Sequence, residues 1–220
     1  MAIKRLPLST QVRSELLERM RTGKVRPGDS INEIQLAEEL GVSRTPLREA
    51  LVALESEGQI SSETGKGFHF RKVSAKEFRE LTPIVAQLEC LALDLSAVAD
   101  LKKLAKKLIR SAKGFKLEDA EYQLIATKDD EWHELMLSAC PNTTLLTQIS
   151  KIRLSLHRYE SLLVTEKVVV HRVAAEHLII AEHLQEGDIK AAQAALRDNW
   201  INSVDRILER ANIQYLAEDV

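Results

Sequence analysis

The stretch Leu36-Ala37-Glu38-Glu39-Leu40-Gly41-Val42-Ser43-Arg44-Thr45-Pro46-Leu47-Arg48-Glu49-Ala50-Leu51 decides the fold of the first part of the chain. A helix over 32–40 stops at Gly41, a residue type that ends helices because it enters the left-handed conformation without strain. Ser43 is a good N-cap for the next helix, which continues to Glu57 and ends at Gly58. On that helix Leu47, Ala50, Leu51 and Leu54 share one face at i, i+3, i+4 and i+7. Two short helices across a tight Gly-Val turn form a helix-turn-helix.

Upstream, the spacing predicts a helix over 9–22 closed by Gly23. Downstream, extended runs over 59–62 and 68–72 flank Thr64-Gly65-Lys66-Gly67, which predicts a β-hairpin and makes the motif a winged one. Arg44, Thr45, Arg48 and Val52 flank the apolar face of the second motif helix. Ser43, Arg44 and Thr45 crowd its N-terminal turn, where unpaired N–H groups and the helix dipole suit phosphate. Arginine also pairs bidentately with guanine in the major groove.

Beyond residue 72 the pattern changes. Six of the eight glycines lie in the first 67 residues, and long uninterrupted helices follow, at roughly 74–99, 101–112, 117–139, 143–164, 166–186 and 188–214. Ser74 and Glu77 have the spacing of a capping box at the start of the first of these. The expected fold class is mainly α: an N-terminal winged helix-turn-helix domain over 1–73, then an all-helical antiparallel bundle over 74–220.

Composition agrees with helix packed on helix. Of 220 residues, 45% are apolar and 4% aromatic. Cys90 and Cys140 are too few for a disulfide framework, which points to a reducing compartment. The most apolar run, 85–99, is broken by Gln87, Glu89 and Asp94, so no membrane span is expected and the chain reads as cytoplasmic. The net charge of -2 argues against a nucleic-acid binder at first sight. Residues 1–73, however, hold 12 Lys and Arg against 10 Asp and Glu, and the acidity belongs to the rest.

In the second part, polar residues intrude on apolar stripes. Ile125, Asp129, Trp132, His133 and Met136 fall within an arc of roughly 100°, so Asp129 and His133 share an otherwise apolar face. His177 lies in the stripe of Val170, Val173, Ala174, Ile180, Ala181 and Leu184, whereas His171 and His183 are rotated off it. Asn199 shares a face with Ala192, Ala195, Leu196, Ser203 and Ile207. A carboxylate aimed into a core needs a partner or an ion. Carboxylate plus imidazole suits a divalent ion, zinc or nickel first. A satisfied Asp–His hydrogen bond is the alternative. Ser150, Arg153, His157 and Ser161 recur at three- and four-residue spacing on another helix. That face is either solvated or lines the bundle cavity, where Arg153 would clamp a carboxylate.

These residues carry a resemblance. Gly23-x3-Pro27-Gly28, the quoted stretch, Leu54-x2-Glu57-Gly58 and the wing Gly65-Lys66-Gly67-Phe68 together resemble the DNA-binding domain of GntR-family bacterial repressors over about residues 8–73. The resemblance implies that Ser43, Arg44, Thr45 and Arg48 form the DNA-reading surface, with Gly65 and Lys66 reaching the minor groove or backbone. Ile34 departs from members that have a basic residue early in the preceding helix.

Asp129-x2-Trp132-His133, Glu176-His177 with Gly187-Asp188, and the Ala-rich run ending at Asn199 resemble the effector-binding FCD domain of the FadR subgroup. Metal-binding members use one aspartate and three histidines. Asp129, His133 and His177 match, and Asn199 stands at the fourth position. Val85 replaces an arginine found in many members ahead of the Leu88-Glu89 pair.

The resemblance implies a homodimeric regulator, a repressor, on near-palindromic double-stranded operator DNA. Its effector is expected to be a small carboxylate-type metabolite, an organic or sugar acid held by the metal with Arg153 and His157. Two rivals stay open. A metal-dependent hydrolase lacks an evident general base and leaves the DNA module without a role, and the helical domain could serve dimerisation alone.

Overall fold

A computed structural model of the chain describes residues 6–114, 122–160 and 167–208. Ser161, the segments 115–121 and 209–214, and the side chains of Ile125, Val170, His171 and Ile207, all named above, lie outside that description. Nine helices and two strands follow in order among the described residues. The first group is α1 (Leu8–Arg21), α2 (Glu33–Leu40), α3 (Arg44–Ser56), β1 (Ile60–Glu63) and β2 (Gly67–Phe70). The second is α4 (Ala75–Leu95), α5 (Val98–Lys113), α6 (Tyr122–Leu137), α7 (Thr143–Glu160), α8 (Lys167–Glu186) and α9 (Ile189–Leu208).

The helix-turn-helix forms as its sequence dictates. Asn32 caps α2 by accepting the N–H groups of Ile34 and Gln35. Gly41 adopts φ 63°, a left-handed conformation that costs a residue with a Cβ, and turns the chain toward α3. Ser43 takes the N-cap position of α3 in extended conformation, but its side chain makes no capping hydrogen bond. The physical reason is Pro46, which sits where the usual capping donor would be and has no N–H.

Leu47, Ala50, Leu51 and Leu54 are all buried, with Val12 and Leu16 of α1 and Ile60, Phe68 and Phe70 of the hairpin in the same core. The wing pairs Ile60 with Phe70 and Glu63 with Gly67. It is broader than the sequence suggests, because Ser30 bridges His69 and Ile31 donates to the Phe68 carbonyl at 2.8 Å.

The bundle has a separate core, running from Val73 and Phe78 through Leu101, Leu108, Trp132 and Met136 to Ile180, Leu184 and Leu196. Helix α8 packs between α5 and α9, and α4 lies against α7 and α9. Ser74 caps α4, accepting the Glu77 N–H at 3.2 Å.

The seam between the two cores is polar and is made chiefly by the end of α7. The Arg158 side chain, 1% exposed, donates to the Gly58 carbonyl just beyond α3 and to Glu77 Oε2 at 2.7 Å. The Tyr159 hydroxyl lies 2.6 Å from Glu77 Oε2 and accepts the Ser74 N–H at 3.1 Å, while its ring stacks on Phe78. Arg21 at the end of α1 bonds Thr127 of α6. The elements that bear the polar cluster of the bundle are thus fastened directly to the winged helix-turn-helix.

Candidate functional site

Two sites are built by this frame. The first is the surface of the helix-turn-helix. Ser43, Arg44, Thr45 and Arg48 are exposed on α3, and Gly65 and Lys66 are exposed at the tip of the wing. Arg48 Nε pairs with Glu33 Oε2 at 2.9 Å, and Lys66 Nζ with Glu63 Oε2 at 2.7 Å. Both cations are exposed, Arg48 by 60% and Lys66 by 76%, and an ion pair with an exposed cation holds it by at most about 1 kcal/mol, so neither pair prevents contact with a phosphate. Val52 is also exposed on α3, which extends the surface past the two arginines.

The second site lies inside the bundle. The apolar stripes of α6 and α8 bring Asp129, His133 and His177 together so that one ligand atom from each lies within 4.8 Å of the others. His177 Nε2 is 3.2 Å from Asp129 Oδ1. His133 and His177 are buried, whereas the Asp129 side chain keeps 26% of its surface exposed and marks the open side.

Trp132 fixes the backing wall. Its ring stacks on His177 at 4.0 Å between centroids and 2° between planes, and its Nε1 donates to the Leu108 carbonyl. Burial pushes the Asp129 carboxyl up, but the His177 hydrogen bond and the nearby His133, His177 and Arg153 outweigh it and hold the group well below the usual carboxylate range. Burial likewise lowers His177, against the pull of Asp129, which favours the neutral imidazole that a metal needs. Two imidazoles and an ionised carboxylate at this separation are a donor set that fits zinc or a neighbouring transition ion.

Asn199 is buried on α9, but the structure gives its amide another task. Its Nδ2 donates to Glu176 Oε2 at 2.8 Å, beside a second bond from Asn202 to Oε1 at 3.0 Å. The amide nitrogen of Asn199 is thus engaged by Glu176 and cannot serve an ion, so any role as a donor falls to its carbonyl oxygen.

Arg153 and His157, expected either on a solvated face or lining the bundle cavity, are both engaged by carboxylates of this chain. Arg153 is buried, with Nη1 on Glu89 Oε1 at 3.0 Å and Nη2 on Asp130 Oδ1 at 2.5 Å. His157 Nε2 donates to the same Asp130 oxygen at 2.8 Å. Arg153 is therefore already balanced by two carboxylates and is not a vacant clamp. Ser150, placed on the same face by spacing, is exposed.

Glu89 and Asp130 are the residues that sequence reasoning missed. Glu89 sits in the core stripe of α4 between Val85, Ala86, Cys90 and Leu93, all buried, and this was the available signal. Its carboxyl is pushed up by burial, but His133, Arg153 and the Trp200 bond pull it down to about 2. A cleft of about 250 Å³ between the two cores is lined by Leu17, Arg21, Gln59, Asp130, His157 and Arg158. It brings solvent to the outer edge of this cluster.

Among the described residues no helix is long and apolar enough to cross a membrane. Residues 8–70 match the model of the bacterial regulatory proteins of the gntR family, and residues 78–200 match the FCD domain. The chain is 30% identical over 193 residues to the HTH-type transcriptional regulator YdhC of Bacillus subtilis, with 85% of each chain covered. It is 26% identical over 194 residues, 87% of this chain and 85% of the other, to the "Probable D-xylose utilization operon transcriptional repressor" of Paenarthrobacter nicotinovorans.

Among solved structures, E. coli McbR/YncC superposes with a TM-score of 0.75 at 20% identity, covering 93% of this chain and 99% of that one. A GntR regulator from Rhodococcus sp. RHA1 superposes with a TM-score of 0.78 at 21% identity, covering 91% and 97%. These two likenesses show the fold. With a winged helix-turn-helix, an FCD bundle and relatives that are transcriptional regulators and not enzymes, the chain belongs to the GntR family, in its FCD-bearing FadR-like subgroup, and is a DNA-binding transcription regulator.

Proposed function

We propose that the protein is a dimeric, metal-dependent repressor released from its operator by a small organic or sugar acid. The observation that carries this reading is the convergence of Asp129, His133 and His177 inside a bundle whose helix α7 also grips the far end of the recognition helix. The reading takes 1–73 as the DNA-binding domain and 74–220 as the effector and dimerisation domain.

On the DNA side, Arg44, Thr45 and Arg48 read the major groove, Ser43 contacts phosphate, and Gly65 and Lys66 follow the adjacent backbone or minor groove. Two copies related by a two-fold axis meet a near-palindromic site. Ile84, Leu91 and Leu95 of α4 are 49%, 43% and 43% exposed and, with half-buried Leu88, form an apolar stripe at heptad-like spacing that supports α4 as the dimer face.

On the effector side, Asp129, His133 and His177 hold a divalent ion, zinc or nickel, with the Asn199 carbonyl as a weaker fourth donor. The ion, when bound, supplies Lewis-acid affinity for a carboxylate entering from the open Asp129 side. Arg153 and His157 act through Asp130: a ligand carboxylate that displaces Asp130 inherits both donors. Because α7 also carries Arg158, a shift of Arg153 and His157 is felt at Gly58. A coupling of about 1–3 kcal/mol between the sites suffices for regulation.

The test is metal analysis of the purified protein, followed by operator binding titrated with a panel of sugar and organic acids, with and without prior chelation. Release by an acid only in the metal-loaded protein is the expected result. Equal release after chelation removes the metal from the reading, and no response to any acid leaves dimerisation as the bundle's function.

A further inference from the structure

Four helices converge on one carboxylate that is not itself among the candidate ligands. Glu89 of α4 is fully buried, and its two oxygens take three donors. His133 Nδ1 of α6 and Trp200 Nε1 of α9 both reach Oε2 at 2.9 Å, and Arg153 Nη1 of α7 reaches Oε1 at 3.0 Å. An ionised carboxylate only accepts. The ring hydrogen of His133 therefore lies on Nδ1, and a neutral imidazole then has its lone pair on Nε2 alone. Nε2 is the atom left to an ion shared with Asp129 and His177. Edge contacts with His177 at 5.2 Å and a tilted contact with Trp200 at 5.3 Å keep the ring from turning over.

We propose that Glu89 is the positioning residue of the metal site, locking His133 in its Nδ1–H tautomer so that Nε2 faces the ion. This rests on the metal reading given under Proposed function. The Arg153 contact makes the role testable with an isosteric change. Glu89→Gln has one acceptor oxygen in place of two. If that oxygen faces His133 and Trp200, the new NH2 group opposes the Arg153 guanidinium, donor against donor. If it faces Arg153, the NH2 group points at His133 Nδ1 and drives the ring hydrogen to Nε2, the atom the ion requires. Either orientation weakens the site.

Co2+ titrated into the full-length protein and followed by its d–d absorption measures the effect. Glu89→Gln is expected to lower Co2+ affinity by about 10–100-fold, the range for lost outer-shell partners of a metal-bound histidine. Trp200→Phe removes another donor from the same oxygen and is expected to leave the affinity within a few fold. A carboxylate that served packing alone would instead reduce the stability of both variants and leave Co2+ affinity intact in the folded protein, which would overturn the proposal.

A variant-free measurement stands beside this one. In metal-free wild type, at a pH where the ring is neutral, the ¹⁵N shifts of His133 should place its hydrogen on Nδ1, the signal being assigned by its loss in His133→Gln. A dominant Nε2–H signal overturns the proposal even if Glu89→Gln does not fold. Wild type that takes up no Co2+ refutes the metal reading, and the tautomer still decides the role of Glu89.

Discussion

Arg158→Met should separate the two halves of the molecule without unfolding the bundle. The wild-type side chain is 1% exposed and makes one bond across the seam, to the Gly58 carbonyl, and one within the bundle, to Glu77 Oε2. Stranding a buried charge costs about 3–5 kcal/mol, but that figure is too high here. Glu77 is 24% exposed and keeps the Tyr159 hydroxyl at 2.6 Å and Arg71 at 3.4 Å.

What the DNA-binding half loses is one hydrogen bond from a charged donor, about 1.5–3 kcal/mol when fully buried. That half is expected to lose about 2 kcal/mol, while the bundle loses the Glu77 bond and Glu77 keeps its other partners. Both tryptophans, Trp132 and Trp200, lie in the bundle, so their fluorescence follows that half alone while far-UV circular dichroism follows both. At about 1.5 kcal/mol per molar urea for a small domain, the DNA-binding half should unfold at a midpoint lower by roughly 1 M. The dichroism curve should then show an early phase absent from the fluorescence curve. Coincident curves at the wild-type midpoint would refute the clamp.

Other outcomes follow from the same geometry. Arg44→Ala, at an exposed position, should weaken operator binding by about 1–3 kcal/mol per half-site with fold and oligomeric state unchanged, as footprinting and gel filtration can check. His177→Ala should lower the metal content of the purified protein without removing DNA binding, and unaltered stoichiometry by elemental analysis would exclude that ligand. Glu89 has its carboxyl held at about 2 against an ordinary 4.5, so the folded state gains about 3 kcal/mol at pH values above 4.5. That gain should disappear as pH falls from 4.5 to 2, so Glu89→Gln should flatten the acid limb of a stability-against-pH curve measured by urea melts.

How far the sequence could be read depended on whether a feature repeats along one helix. Gly41, Gly58 and the stripe Leu47-Ala50-Leu51-Leu54 announce the helix-turn-helix because stops and spacing are local properties. Asp129, His133 and His177 were legible for the same reason, being polar residues on apolar stripes. Asp130 was not, because it lies one residue round the helix from the stripe and is drawn in by Arg153 and His157 of another helix.

Glu89 reads as an interruption of an apolar run until its three donors arrive from three different helices. Arg158 is harder still, since nothing within α7 separates a solvated arginine from one sealed against Gly58. The wing's extra pairing with Ser30 is also long-range and leaves no periodic trace.

Among the described residues the two cores share no side chain, and the seam is joined by polar groups, Arg158 with Gly58, Arg71 with Glu77 and Arg21 with Thr127. A bundle of this kind can therefore be given a different reading head by transplanting residues up to Lys72, which leaves Val73 in the bundle core, provided the incoming module ends its recognition helix with a free carbonyl at the position of Gly58. The operator that is recognised and the metabolite that is sensed can then change independently, so one chain architecture can serve many unrelated pairs of gene and signal.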